Sequence, residues 1–164
     1  MMSNLSTFTI VHVVISLIGI ASGLVLMFGL LVARKLNRWS ALFLISTIAT
    51  SVTGFFFPFH GLTPAIVVGV ISLVVLGVAI IARYVRRLAG AWRWIYVVTV
   101  MIALYLNVFV LIVQLFQKVP ALKALAPTQS EPPFAVMQLV VLALFVVLTI
   151  MAAIKFRGEQ LRRA

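Results

Sequence analysis

Acidic residues are scarce and cysteine is missing from this chain of 164 residues. Two carboxylates, Glu131 and Glu159, stand against thirteen Lys and Arg residues, and there is no cysteine. The lack of cysteine excludes disulfides, iron–sulfur clusters and thiol catalysis. Only 9% of the residues are charged and 65% are hydrophobic, whereas soluble domains carry about 25% charged residues. A soluble fold could not bury so much apolar surface, so the composition indicates an integral membrane protein.

Charged residues are also missing from five long apolar segments. The hydrocarbon core of a bilayer is about 30 Å thick and needs about 20 helical residues. The segments run over residues 8–33, 41–57, 65–82, 94–116 and 134–154, and a longer loop covers 117–133. We therefore predict an all-α fold, a single membrane domain over residues 1–164 with five transmembrane helices. The alternative has four spans and a re-entrant second segment, since that segment is short.

Basic residues cluster at alternate junctions between these segments. Eleven of the thirteen Lys and Arg residues fall in the first loop, the third loop and the C-terminal tail. Five spans put these three regions on one side, and basic loops stay in the cytoplasm. We therefore expect a cytoplasmic C-terminus, an outside N-terminus and an outer loop at 117–133. The net charge of +11 does not indicate nucleic acid, because no continuous basic face exists outside the loops.

Neutral polar side chains concentrate toward the outer half of the predicted bundle. No span holds a charged residue, so transport coupled to a membrane carboxylate is not indicated. We interpret the polar side chains as a binding site for a lipid, a quinone or another amphiphile. The predicted site residues are His12, Ser16, His60, Asn107, Gln114, Gln138 and Glu131. Asn107 and Gln114 have the alternative role of hydrogen-bonding between helices.

Small residues recur at helical spacing in the first two segments. Gly19 and Gly23 form a GxxxG pair, which lets two helices approach closely. Ser46, Thr50 and Gly54 repeat every fourth residue and share one helix face. We predict that all five serve helix packing. The Ser and Thr hydroxyls can also bond to carbonyls of their own helix.

The two histidines leave a haem alternative open. His12 and His60 are both expected on the outer side, and paired histidines are axial ligands of b-type haem. A single-haem electron-transfer protein is therefore an alternative function. Otherwise each histidine would lie near headgroups, hydrogen-bonded to water or lipid phosphate. We predict no other metal site, because structural zinc needs four ligands and the chain has no cysteine.

An enzyme is the less favoured class. His60 and Glu131 could act as a base and its partner, but nothing marks a particular Ser or Thr as nucleophile. A further alternative is an oligomeric pore or an accessory subunit of a larger membrane complex. The glycine pair of the first segment would serve that role, as would one stripe of the fourth segment, formed by Tyr96, Thr99, Ala103, Asn107 and Gln114. The expected partners are therefore the lipid bilayer and, in this alternative, further copies or subunits, with no nucleic acid.

Three stretches carry a family resemblance: TGFFFPFH at 53–60, AGAWRWIY at 89–96 and LAPTQSEPPF at 125–134. Through them the chain resembles, over nearly its whole length, an uncharacterised family of small polytopic inner-membrane proteins of bacteria. The resemblance implies a location in the bacterial inner membrane and supplies no catalytic residue. The chain is also similar in outline to small b-type cytochromes, which carry more histidines within their helices.

Overall fold

The computed structural model describes residues 2–58, 61 and 63–161, with side chains described from residue 7 to residue 157 of these ranges. His60, Arg162 and Arg163 lie outside the described residues. The prediction of an all-α fold is confirmed, because the described residues form helices and no strand. The helices are α1 (Met2–Leu31), α2 (Asn37–Gly54), α3 (Pro64–Ile80), α4 (Trp92–Lys118), α5 (Pro120–Leu125) and α6 (Pro132–Leu161), and a π-helical turn, Ile81–Val85, extends α3.

Four helical stretches among the described residues are long and apolar enough to cross a membrane, in agreement with the composition. They are Thr7–Leu31, Pro64–Val85, Trp92–Lys118 and Pro132–Arg157. α2 is not among them, because its 18 residues begin with Asn37 and Arg38 and include six Ser or Thr. It also starts four residues before the predicted segment 41–57 and ends three residues earlier, at Gly54.

Side-chain contacts identify which helix ends lie together. The guanidinium of Arg83, in the π-helical turn, donates a hydrogen bond of 2.6 Å to Asn37 Oδ1 at the start of α2. Arg93, at the start of α4, donates to the carbonyl of Phe156 near the end of α6 at 3.4 Å. The first loop, the third loop and the end of α6 therefore lie at one end of the bundle, the basic end. The opposite end holds α5 and is called the α5 end.

Close approach of three helices builds the centre of the core. Gly23 on α1 is buried, and a Cβ added there would lie 2.5 Å from Leu104 Cδ1 and 2.8 Å from the Phe43 ring. Phe43 on α2 and Leu104 on α4 are themselves fully buried. Only glycine leaves room for both side chains, so this position sets how near α1 lies to α2 and α4.

α6 packs against the bundle along a single seam. Its buried residues Gln138, Phe145 and Ala152 recur every seven positions, and Phe156 follows one turn later. Most of the other side chains in the apolar stretch Pro132–Arg157 of α6 are exposed. A seven-residue repeat keeps one stripe of a helix against its neighbours, so the rest of α6 is free to face lipid.

Candidate functional site

One face of α2 carries a row of three threonines, spaced three residues apart. Thr47 accepts a hydrogen bond of 3.1 Å from the Asn107 side-chain amide of α4. Thr53, nearer the α5 end, lies 2.7 Å from the Nδ1 atom of His12 on α1. Thr50 lies between them on the same helix. These five residues are called the threonine seam, and they bring together three helices and two of the predicted site residues.

The hydrogen bonds of Thr53 favour one tautomer of His12. The Thr53 hydroxyl donates to the Ala49 carbonyl at 2.7 Å, with the Thr50 carbonyl at 3.2 Å. A hydroxyl has one hydrogen to donate, and a hydroxyl that gives it to a backbone carbonyl accepts from His12. We therefore infer the tautomer with hydrogen on Nδ1, in which Nε2 of the neutral ring is the acceptor. The Phe57 ring packs edge-on against the imidazole, with ring centres 5.0 Å apart.

Thr50, the middle threonine of the row, has a side-chain hydroxyl with unsatisfied hydrogen bonding. Its Oγ1 is buried and has no hydrogen-bond partner within the described part of the chain. Helical threonines commonly donate to a carbonyl one turn back, as Thr53 and Thr99 do. A buried hydroxyl left without a partner costs about 1–3 kcal/mol. The middle of the seam therefore has a buried hydroxyl whose hydrogen no described residue accepts.

Two of the predicted packing glycines lie beside the seam. A Cβ on Gly19 would lie 3.3 Å from Thr47 Oγ1 and 3.6 Å from Asn107 Nδ2. A Cβ on Gly54 would lie 3.7 Å from His12 Cε1. Gly19 thus keeps the helix surface open where the amide meets the threonine, and Gly54 leaves space next to the imidazole.

The two predicted serines bond to their own helices. Ser16 donates to the His12 carbonyl at 2.8 Å, and Ser46 donates to the Leu42 carbonyl at 2.7 Å. Ser46 is buried and Ser16 is partly buried. Such bonds satisfy the hydroxyl hydrogens inside an apolar environment, so these serines need no ligand to complete them.

Gln138 lies in a different seam, between α4 and α6. Its Nε2 donates to the Phe109 carbonyl at 3.4 Å, and its buried Oε1 has no partner among the described residues. Phe109 is two residues beyond Asn107, which is about 3 Å along the helix axis. Gln138 is therefore near the depth of Asn107, but its one described hydrogen bond is made within the α4–α6 seam.

The structure does not bring Gln114 and Glu131 into the threonine seam. Gln114 is exposed on α4. Glu131 closes the loop before α6, where its carboxylate accepts hydrogen bonds from the Thr128 hydroxyl and from the N–H groups of Thr128 and Ser130. Desolvation raises the pKa of the Glu131 carboxyl, but these hydrogen bonds outweigh it and the pKa is lowered overall.

Of the two histidines in the haem alternative, the structure describes only His12. His12 is placed as above, and His60 lies outside the described residues. Within the described ranges, no three His, Cys, Asp or Glu side chains gather as a metal site would require. In the tautomer with hydrogen on Nδ1, Nε2 of His12 is the ring atom with a lone pair to offer to a metal.

A cavity of about 390 Å³, which the sequence did not predict, lies at the basic end. It is lined by Asn37, Arg83, Tyr84, Arg87 and Leu88. The signal in the sequence is the close grouping of Arg83, Tyr84 and Arg87 in the third loop, which was used only to assign orientation. Arginines that share a loop can act on one ligand as well as set topology.

Comparison with protein-family models, with curated proteins and with solved structures found no match.

Proposed function

We propose that this chain is a multi-pass protein of the bacterial cytoplasmic membrane that binds a polar amphiphile, such as a lipid or a quinone, at the threonine seam. The proposal takes five spans, with the N-terminus outside and the basic end in the cytoplasm. Four long apolar helices support the membrane setting. The gathering of basic loops at one end supports the orientation, because such loops stay in the cytoplasm.

α2 supports a fifth span because it reaches both ends of the bundle. Ser40 near its start is hydrogen-bonded to Tyr96 at the basic end, and Thr53 near its end is bonded to His12. Its 18 residues rise about 27 Å as an α-helix, close to the hydrocarbon thickness of about 30 Å. Ser46 and Thr53 donate to carbonyls of α2 itself, which makes their hydroxyls tolerable at membrane depth.

The observation that carries the ligand proposal is the buried Thr50 hydroxyl. It lies between two threonines whose partners are on other helices, while no described residue accepts its hydrogen. A ligand oxygen that accepts this hydrogen removes the cost of the unmade bond. Quinone carbonyls and lipid ester carbonyls are such acceptors.

The substitution Thr50→Val tests this proposal, because valine keeps the branched shape and removes the hydroxyl. Lipids and quinones retained by the protein after purification in mild detergent would be quantified by mass spectrometry. We expect one retained amphiphile to fall about fivefold, the equivalent of one hydrogen bond of about 1 kcal/mol. Stability without ligand should be unchanged or higher, because an unpaired buried hydroxyl is lost.

The matched control is Thr99→Val, which removes a hydroxyl that bonds within α4 to the Ile95 carbonyl. This variant should retain amphiphile at the wild-type level. Wild-type retention in Thr50→Val as well would mean that no ligand oxygen bonds to Thr50, and the proposal would be wrong.

A b-type haem at His12 is the second candidate, favoured by the hydrogen bond at Nδ1. Histidine ligands bind a metal through one ring nitrogen and donate the other N–H to a neighbour, the part that Thr53 plays here. Protein purified from haem-replete cells would then show a Soret band, and His12→Ala would remove it. Colourless wild-type protein would exclude this candidate.

A further inference from the structure

The cavity at the basic end lies far from the threonine seam and has a different chemistry. Its volume of about 390 Å³ falls within the range of small-ligand sites, about 300–1,000 Å³. Two of its five lining residues are arginines, and two others, Asn37 and Tyr84, are polar. This composition suits an anionic group better than an apolar one.

The guanidinium of Arg83 is held in place by its neighbours. It donates to Asn37 Oδ1 at 2.6 Å and lies 5.2 Å from the ring centre of Tyr96 and 5.7 Å from that of Tyr84. A guanidinium has five N–H donors in a rigid plane, more than these neighbours can accept. Arg83 therefore presents oriented donors to the cavity before any ligand arrives.

Arg87 occupies a backbone position where glycine is the usual residue. Its φ is 49°, in the left-handed region, and Leu88 follows with a φ of 59°. The turn closes through the Leu88 N–H, which bonds to the Ala82 carbonyl at 3.0 Å, and the Leu88 side chain is buried. Helices that end in this way favour glycine at the left-handed position. Both left-handed residues line the cavity, so this turn places the Arg87 side chain beside Arg83.

The chain carries far fewer carboxylates than basic residues. It has thirteen Lys and Arg residues against two acidic residues. Glu131 is at the α5 end, where it is bonded to Thr128 and Ser130. Anions from outside the chain must balance most of the charge at the basic end. Phosphate matches the planar fork of arginine, which can bind two of its oxygens at once.

We propose that the cavity binds a phosphate group, held by the guanidinium groups of Arg83 and Arg87. The phosphate belongs either to a lipid headgroup or to a soluble phosphate compound. Trp39 and Trp94, in the first turns of α2 and α4 at this same end, are exposed. Such rings prefer the headgroup layer, so the cavity lies at the depth of lipid phosphates.

The test measures binding by native mass spectrometry of the full chain in detergent. The probes are dioleoylphosphatidylglycerol, dioleoylglycerol with the same acyl chains and no phosphate, and inorganic pyrophosphate. We expect at least one phosphate probe to bind better than dioleoylglycerol. Binding of the phospholipid alone assigns the site to a headgroup, and binding of pyrophosphate alone assigns it to a soluble compound. Mutual displacement of the two probes shows one shared phosphate site.

The variant Arg87→Gly removes the guanidinium and relieves the left-handed strain, so it should fold at least as stably as the wild type. We expect phosphate binding to weaken about tenfold, the loss of one charge-assisted pair. The control, Arg34→Gly, removes an equal charge at the same end from a residue that does not line the cavity. It should change binding less than about twofold, since a surface charge acts weakly.

A second variant, Arg87→Gln, keeps a side chain at the strained position and should weaken binding as Arg87→Gly does. Two results would overturn the proposal. One is that neither phosphate probe binds better than dioleoylglycerol. The other is that Arg34→Gly weakens binding as much as the Arg87 variants, which would assign the effect to diffuse positive charge.

Discussion

His12 on α1 and Thr53 on α2 are joined by a 2.7 Å hydrogen bond between the imidazole Nδ1 and the threonine hydroxyl, and the Ala49 carbonyl lies 2.7 Å from the same hydroxyl. We expect the neutral His12 ring to be the Nδ1–H tautomer. Nitrogen-15 NMR of histidine-labelled protein distinguishes the tautomers, and His60→Gln leaves a single histidine to assign. Thr53→Val should remove the preference for Nδ1–H. An Nε2–H signal in the wild type would contradict the bond as described.

Gly23 should not tolerate alanine. Its added Cβ would lie 2.5 Å from Leu104 Cδ1 and 2.8 Å from the Phe43 ring, and overpacking of this kind costs about 1–3 kcal/mol. The measurement is the unfolding free energy in detergent. Gly77→Ala in α3 is the control, because a Cβ there meets nothing within 4 Å, and alanine should stabilise the helix by about 0.5–1 kcal/mol. Equal effects of the two substitutions would contradict the packing described at Gly23.

The loop before α6 should loosen in acid. Hydrogen bonds from Thr128 and Ser130 lower the pKa of Glu131 below its usual 4.5 in spite of desolvation. A lowered pKa means that the carboxylate stabilises the loop above the unfolded pKa, and that this contribution disappears as pH falls through the folded value. Hydrogen exchange of the Thr128 and Ser130 amides should therefore lose protection below about pH 4.5. Glu131→Gln should show the faster exchange at neutral pH and no acid transition.

Single introduced cysteines can map the topology without background, because the natural chain has no cysteine. With five spans, cysteines at Lys35, Ala89 and Arg157 should be labelled from the cytoplasmic side only. A cysteine at Lys123 in α5 should be labelled from outside. Labelling of Lys35 and Ala89 from opposite sides would mean that α2 does not cross, and would favour the four-span alternative.

The helical part of the fold could be predicted because hydrophobic length and charge position are local properties of the sequence. The row of hydroxyls on α2 and the closeness of Gly19 to other helices also follow from spacing. The pairing of His12 with Thr53 does not follow from spacing. It depends on how far α1 is shifted along its axis relative to α2, and this shift depends on how Phe43 and Leu104 fill the space at Gly23.

Gln114 shows where helical spacing alone misleads. It shares a face with Asn107, seven residues earlier, and was therefore expected inside the bundle. Gly54, which ends α2, is likewise seven residues beyond Thr47, the partner of Asn107. Gln114 thus lies at the level where α2 stops, about 10 Å from Asn107 along the axis. No part of α2 extends past that level to cover it, and the residue is exposed.

The cavity at the basic end could not be predicted because the backbone that forms it is irregular. The π-helical turn Ile81–Val85 and the two left-handed residues Arg87 and Leu88 determine where Arg83 and Arg87 point. Predictions from residue spacing assume a regular α-helix, so they do not include this change in backbone direction.

The many hydroxyls of α2 have a consequence for how the protein is made. A helix with six Ser or Thr and a charged start gains little by leaving the translocation channel for lipid alone. α1 is strongly apolar and its imidazole supplies a partner for Thr53. If α2 crosses the membrane as proposed, we expect α1 to stay beside the channel until α2 has been synthesised, so that the two enter the lipid together as a hairpin.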